Sequence, residues 1–217
     1  LLLHGTATGR LSSREPNLQN VPKTIREIYI PEEGKKFYQF DYSQIEVRII
    51  SYLCSDEDWI ATFLDPSRDL HAENASLLFN RSVNECGKGT IFRDAAKTFL
   101  YGIILYGGGP YSFMAAWPGL FHNVRIVEIA QERLLSAHPR LKAYRESIKC
   151  QIQSTRLLVN TFGRPRRFFG SESTILKAGY NFPVQSAAAD IINPVMIRLY
   201  NLGVPGMLLQ VHDSILF

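Results

Sequence analysis

The polar and apolar positions of this chain change their period at Asp41. Just before it, Phe37, Tyr38 and Phe40 supply β-favouring side chains; after it, Ile45, Ile49, Tyr52 and Leu53 recur at i, i+4, i+7 and i+8, the spacing of one helix face. The pattern predicts a short strand, then a helix starting at Ser43, with a carboxylate at the junction. A carboxylate so placed has fixed backbone on both sides and suits presentation to a cation or phosphate. A simple helix cap is the other reading of Asp41, and the stretch alone does not separate the two.

Elsewhere the elements follow from punctuation and periodicity. Residues 4–22 are rich in Gly, Ser, Thr, Asn and Pro and read as loop. Residues 24–40 read as two strands joined through Pro31-Glu32-Glu33-Gly34. The acidic segment 55–58 and the Pro66 turn break the pattern, and helix resumes over 69–79. Residues 93–106 form another helical stretch, ended by Gly107, Gly108, Gly109 and Pro110. Two helices are expected over 124–153, broken at His138-Pro139, with Ile126, Ile129, Ala130, Leu134, Leu141, Tyr144 and Ile148 facing inward. Pro183 fits a helix N-terminus, Gly203 its end, and Pro194 a kink. The chain closes on two apolar strands, 207–211 and 214–217, around a His212-Asp213 turn, so a second carboxylate sits at a hairpin tip.

The length of 217 residues, with 46% hydrophobic and 20% charged, allows a sizeable core in one or two domains. Net charge is +4, a mild bias towards polyanions. Its distribution says more: Arg156, Arg164, Arg166 and Arg167 share residues 154–170 with Phe162, Phe168 and Phe169 and no acid, a mixture that suits phosphates and bases. A solvated charged face is the competing reading. The three cysteines lack CxxC spacing, which argues against a zinc site or a disulfide framework and fits a reduced, intracellular setting, in the cytoplasm or in a host cell. No run reaches roughly 18 apolar residues, so no membrane-spanning helix is expected. Both ends read as cuts through structure, and the chain is expected to be a fragment that is inactive by itself.

Chemistry enters with the helix at 93–106. Arg93, Lys97 and Tyr101 fall at i, i+4 and i+8, so one face carries a guanidinium, an ammonium and a phenol. Two cations one turn apart repel by a few tenths of a kcal/mol, roughly, unless solvation or an anion relieves them; the spacing suits a polyphosphate. Two strand-end carboxylates at close range likewise invite divalent cations, and a pair of Mg²⁺ ions can stabilise the attacking and leaving oxygens of a phosphoryl displacement.

These parts resemble the palm and fingers of a family A DNA polymerase, the polymerase I class. DYSQIEVR at residues 41–48, RDAAKTFLYG at 93–102 and VHD at 211–213 are similar, in order, to three motifs of that family. TGRLSSREPNLQNVP, LHAENAS, FGRPRR and NFPVQSAAAD extend the likeness over nearly the whole chain. The resemblance implies an α+β fold of right-hand polymerase architecture, lacking the thumb and the C-terminal end. Its antiparallel palm sheet would come from 1–68 and 157–217, with a helical fingers insertion at 69–156. It implies Mg²⁺-dependent, template-directed DNA synthesis from dNTP on a primer-template. Other readings are a single-subunit RNA polymerase relative, which the bulk of Glu46 opposes, and an inactive nucleic-acid-binding remnant.

Carried over by the resemblance, Asp41 and Asp213 ligate two Mg²⁺ ions with the Tyr42 carbonyl. Arg93, Lys97 and His71 contact the triphosphate, and Lys97 is placed to protonate pyrophosphate. Glu46 excludes a 2′-hydroxyl, Tyr101 stacks near the incoming sugar and base, and Gln44 and Tyr106 complete the nucleotide side. Arg10, Gln19, Asn20, Arg164, Asn181, Gln185 and His212 match template and primer contacts, which check pair geometry rather than sequence. Tyr101 with RDAAKTF looks more like phage or mitochondrial relatives than bacterial repair enzymes.

Two departures stand out. The family's second tyrosine follows the Tyr101 position by four residues, whereas here Tyr106 follows by five. One extra residue turns a side chain by about 100° on an ideal helix. Either a π-bulge absorbs it, or Leu105 takes the place. Ser214 stands where the family has Glu, which is expected to weaken support for Asp213 rather than abolish chemistry.

Overall fold

The computed structural model describes residues 1–217, the side chain of Lys23 apart. The fold is α+β. Helices are α1 (Ile45–Leu53), α2 (Glu57–Leu64), α3 (Leu70–Phe79), α4 (Ile91–Phe99), α5 (Pro110–Ala116), α6 (Val124–Ala137), α7 (Pro139–Thr155) and α8 (Glu172–Asn201). Strands β1 (Gln39–Asp41), β4 (Leu209–Val211) and β5 (Ser214–Leu216) form one sheet of order β1-β5-β4; β2 (Leu157–Val159) and β3 (Pro165–Arg167) form a second, two-stranded one. The chain divides into two compact units. The first holds Leu1–Glu46, Val159–Arg164 and Val184–Phe217, the second Val47–Leu158 and Pro165–Pro183.

In the first unit the last hairpin pairs antiparallel with β1, setting Gln39, Phe40 and Asp41 opposite Leu216, Ile215 and Ser214. This overturns the hairpin expected at 24–40. Residues Lys23–Ile28 form a 3₁₀ helix, and β1 takes its partner from the far end of the chain, because a strand pairs with whichever edge tertiary folding brings to it. The closing hairpin around His212-Asp213 is as the sequence predicts.

The second unit is helical. α3 packs on α4 and α6, and α6 on α5 and α7. Its interior includes Trp59, Phe99, Leu134 and Leu141, each such side chain stabilising the fold by about 1.5–3 kcal/mol on burial. A further cluster joins Ile148, Ile152, Leu158, Phe168, Ile175 and Phe182.

Several sequence expectations change here. α2 follows directly from the acidic segment: Asp56 caps it by accepting from the Trp59 N–H at 3.0 Å. On α6 the inward face is Val127, Ala130, Leu134 and Leu135, while Ile126 and Ile129 are exposed; the stripe is turned by one position. Pro110 opens α5 as well as following the end of the previous helix. Pro183 does not start a helix. α8 begins at Glu172 and runs through both Pro183 and Pro194. The buried Phe182 and Val184 on either side of Pro183 hold the helix across a residue that lacks its N–H.

Candidate active site

The sheet of the first unit brings Asp41 and Asp213 together. Asp41 stands opposite Ser214, and the Tyr42 N–H donates to the Asp213 carbonyl at 3.0 Å. His212, with φ 52°, sits in the left-handed region at the turn and is exposed, and its carbonyl accepts from the Gln210 amide. Ser214 is buried; its hydroxyl takes a 2.5 Å contact from the Gln39 amide and donates to the Val211 carbonyl at 2.8 Å. The serine hydroxyl thus links β1 and β4.

Arg10 closes this group. Its Nη2 lies 2.5 Å from Glu46 Oε1 and 3.0 Å from Asp213 Oδ1, and Glu46, in the first turn of α1, is only 3% exposed. Burial raises the Asp213 carboxyl above its ordinary value; the Arg10 charge lowers it, and the charges of Glu46 and Asp41 raise it again. Gln44 also has a positive φ of 53°, and its buried Oε1 has no hydrogen-bond partner among the described residues.

Two other nucleic-acid candidates of this unit, Gln19 and Arg164, already have internal partners. Gln19 is buried and donates to the Gln210 carbonyl at 2.9 Å, so it braces β4, while Asn20 beside it is exposed. Arg164 grips Asp190 on α8, Nη2 to Oδ1 at 2.5 Å, and Asn160 donates to the same carboxylate at 2.7 Å. Gln185 is half-buried on α8. Asp190 escaped the sequence reading, because nothing local marks which helix residue an arginine from a distant turn will meet.

The second unit gathers the cationic cluster. Arg93 Nε and Nη2 lie 2.8 and 3.2 Å from the two Asp69 oxygens. The same carboxylate caps α3, accepting from the His71 and Ala72 N–H groups. Burial opposes ionisation of Asp69, but Arg93 and the two backbone donors outweigh it and hold the carboxyl below its ordinary value. Asp69 opens the helix expected over 69–79, but its cap and its pairing with Arg93 emerge only from the structure. His71 is 2% exposed, and neither ring nitrogen has a hydrogen-bond partner among the described residues. Burial first, then the positive charges of Arg93 and Lys97, bring its pKa down to about 4. Lys97 is exposed one turn beyond Arg93. The Tyr101 ring centroid is 6.2 Å from that of His71 and 6.3 Å from that of Tyr106. The extra residue is absorbed as a π-helical segment, Leu100–Leu105, the first of the two expected outcomes. Asn181, on α8, has a buried Oδ1 without a hydrogen-bond partner among the described residues.

The arginines of residues 154–170 are largely committed within the fold. Arg166 lies over the Phe168 ring at 4.8 Å and Arg156 donates to the Gly170 carbonyl at 3.3 Å, whereas Phe162, Arg167 and Phe169 are exposed.

Among the described residues no group of three or more His, Cys, Asp or Glu side chains converges on one point. The two carboxylates Asp41 and Asp213 match in number what Mg²⁺ commonly takes, its shell being completed by phosphates and water. The neighbouring Glu46 and Asp41 charges, which add to burial in raising the Asp213 carboxyl, are of the kind a divalent cation relieves. No helix among the described residues is long and apolar enough to cross a membrane.

The first unit thus sets two carboxylates at one end of its sheet, and the second carries a basic helix face. Residues 2–217 match the family described as DNA polymerase family A, and the chain belongs to that family. It is 35% identical to the thermostable DNA polymerase I of Thermus thermophilus, over 97% of this chain and 26% of that protein. It is 34% identical to that of Thermus aquaticus, with the same coverage. Its structure is similar to the POL domain of Pol1 from M. smegmatis, solved in complex with DNA primer-template and dNTP, at a TM-score of 0.83, with 31% identity over 98% of this chain and 40% of that one. The chain spans about a quarter of the length of the curated relatives it matches.

Proposed function

We propose that this chain carries the metal-binding and nucleotide-binding parts of a DNA polymerase that extends a primer 3′-hydroxyl from dNTP on a template. The observation that carries the reading is the placement of Asp41, at the end of β1, beside Asp213, in the turn between β4 and β5, joined by the Tyr42–Asp213 backbone bond. Support comes from family membership and from the structural neighbour, a complex with DNA primer-template and dNTP.

Asp41, Asp213 and the Tyr42 carbonyl would hold the metal, and a bound pair of Mg²⁺ ions would supply Lewis-acid stabilisation of the attacking and leaving oxygens. Arg93 and Lys97 bind the phosphates through charge-assisted hydrogen bonds, His71 offers a buried N–H to the same phosphates, and Lys97 delivers a proton to the pyrophosphate oxygen. Glu46, packed and held by Arg10, fills the space a 2′-hydroxyl would need. Tyr101, with Gln44 and Tyr106, borders the sugar and base. Arg10, Asn20, Arg164, Asn181, Gln185 and His212 serve the primer-template. Gln19 serves it indirectly, by bracing β4. In this assignment residues 1–68 and 157–217 are palm and 69–156 fingers.

The test is primer extension by the full-length protein with Mg²⁺, with dNTP and rNTP compared and Asp41→Ala as control. Extension with dNTP that the alanine variant loses is expected. DNA binding without extension under Mg²⁺ or Mn²⁺ would instead identify a nucleic-acid-binding remnant, and equal use of rNTP would remove the assignment of Glu46.

A further inference from the structure

The π segment reorders the backbone bonds at the end of its helix. The Tyr106 N–H donates to the Tyr101 carbonyl at 3.0 Å, five residues back, and the Gly108 N–H reaches the Gly102 carbonyl at 2.7 Å, six residues back. In an α-helix the Gly108 N–H would meet the Ile104 carbonyl. That carbonyl accepts instead from the guanidinium of Arg145 on α7.

The same guanidinium lies over the Tyr180 ring of α8, its Cζ 4.1 Å from the centroid. Tyr180 in turn closes on Gly107, where φ is +64° and an added Cβ would stand 2.9 Å from the ring. At Gly108 a Cβ would stand 2.6 Å from the Gly102 carbonyl oxygen, so the tight closure needs glycine at both positions. Burial pushes Arg145 below its ordinary pKa. A desolvated arginine is costly unless its donors and its flat face are used. Here one donor goes to the Ile104 carbonyl, which the Gly108 N–H passes over, and the face goes to Tyr180.

We propose that Arg145, stacked on Tyr180, is a positioning residue that fixes the π turn and, through it, the Tyr101 and Tyr106 rings, and so sets the choice between deoxynucleotides and dideoxynucleotides. The selectivity part rests on the proposed polymerase function; the mechanical part does not. An enzyme with the extra residue needs a brace that an unbroken α-helix would supply from its own backbone.

Two measurements on the full-length protein test this. The first is the ratio of kcat/KM for dNTP to that for ddNTP in wild type, Arg145→Met and Arg145→Lys. The methionine variant is expected to change the ratio by about threefold or more, about 0.65 kcal/mol. Lysine keeps a donor without the flat stack and falls between. Deleting Ile103, which removes the extra residue, should make Arg145→Met nearly silent in the ratio. A ratio within about twofold of wild type in Arg145→Met, with only a lower Tm, would make Arg145 a plain stability residue. The second measurement is amide hydrogen exchange, which needs no catalysis. Protection at Tyr106 and Gly108 should fall at least about tenfold in Arg145→Met while that at Leu134 holds; unchanged protection at Tyr106 overturns the proposal. Failure of wild type to extend any primer would remove the polymerase reading alone and leave the exchange result to decide the brace.

Discussion

Asp69 grips Arg93 with both oxygens, at 2.8 and 3.2 Å, while capping α3 with the same carboxylate. One side chain therefore fixes a helix start and aims a cation. Replacing it separates the two duties. Asp69→Ala should cost about 1–2 kcal/mol of stability in urea unfolding through loss of the cap. Asp69→Asn should cost less, since an amide oxygen still caps, and should bind inorganic triphosphate more tightly than wild type because Arg93 has lost its internal anion.

His71 reports on the same cluster. Its folded pKa of about 4 lies below the ordinary 6.5, so the unfolded chain binds the extra proton first. Stability should fall as pH drops from about 6.5 to about 4 and this contribution should level off below that. His71→Gln should remove this acid sensitivity from a series of melting curves. Because Arg93 and Lys97 depress the value, pyrophosphate bound to them should move the His71 NMR titration midpoint upward; an unmoved midpoint would place the anion elsewhere.

Arg10 neutralises Asp213 and Glu46 at once. Arg10→Gln should lower stability by about 1–3 kcal/mol, since it leaves a buried acid with one donor fewer. If Asp213 holds Mg²⁺ as proposed, the cation would compete with Arg10 for it, so the rise in Tm on adding Mg²⁺ should be larger in this variant than in wild type. Equal rises would show that the guanidinium and the cation do not share the carboxylate.

Tyr101 carries the sugar-side prediction. Tyr101→Phe should lower dideoxynucleotide incorporation relative to the normal substrate in single-nucleotide extension, with little effect on Tm. Equal discrimination in the two proteins would take Tyr101 out of the selection.

What could be read early was what local chemistry writes into the chain. The change of period at Asp41, the His212-Asp213 turn and the break at His138-Pro139 each depend on a few neighbouring residues, and each stands in the structure. The five-residue step from Tyr101 to Tyr106 is likewise a matter of counting, and a π turn is one of few ways to absorb it. The misreadings have a common cause. Residues 24–30 have strand-like composition without a partner edge, Ile126 and Ile129 sit one position off the buried face of α6, and Pro183 looks like a helix start until buried neighbours carry the helix across it.

The sequence by itself determined the inventory: two carboxylates at strand ends, a cationic helix face, a glutamate at the start of the first helix and one residue too many before Tyr106. Tertiary structure alone decided the partners. Arg10 meets Glu46 and Asp213, Arg93 meets Asp69, Arg164 meets Asp190 and Arg145 meets the Ile104 carbonyl. Periodicity and turn chemistry are set within a few residues. Which charge neutralises which is set by the packing that brings distant segments within about 4 Å, where burial strengthens each contact and makes an unpaired group costly.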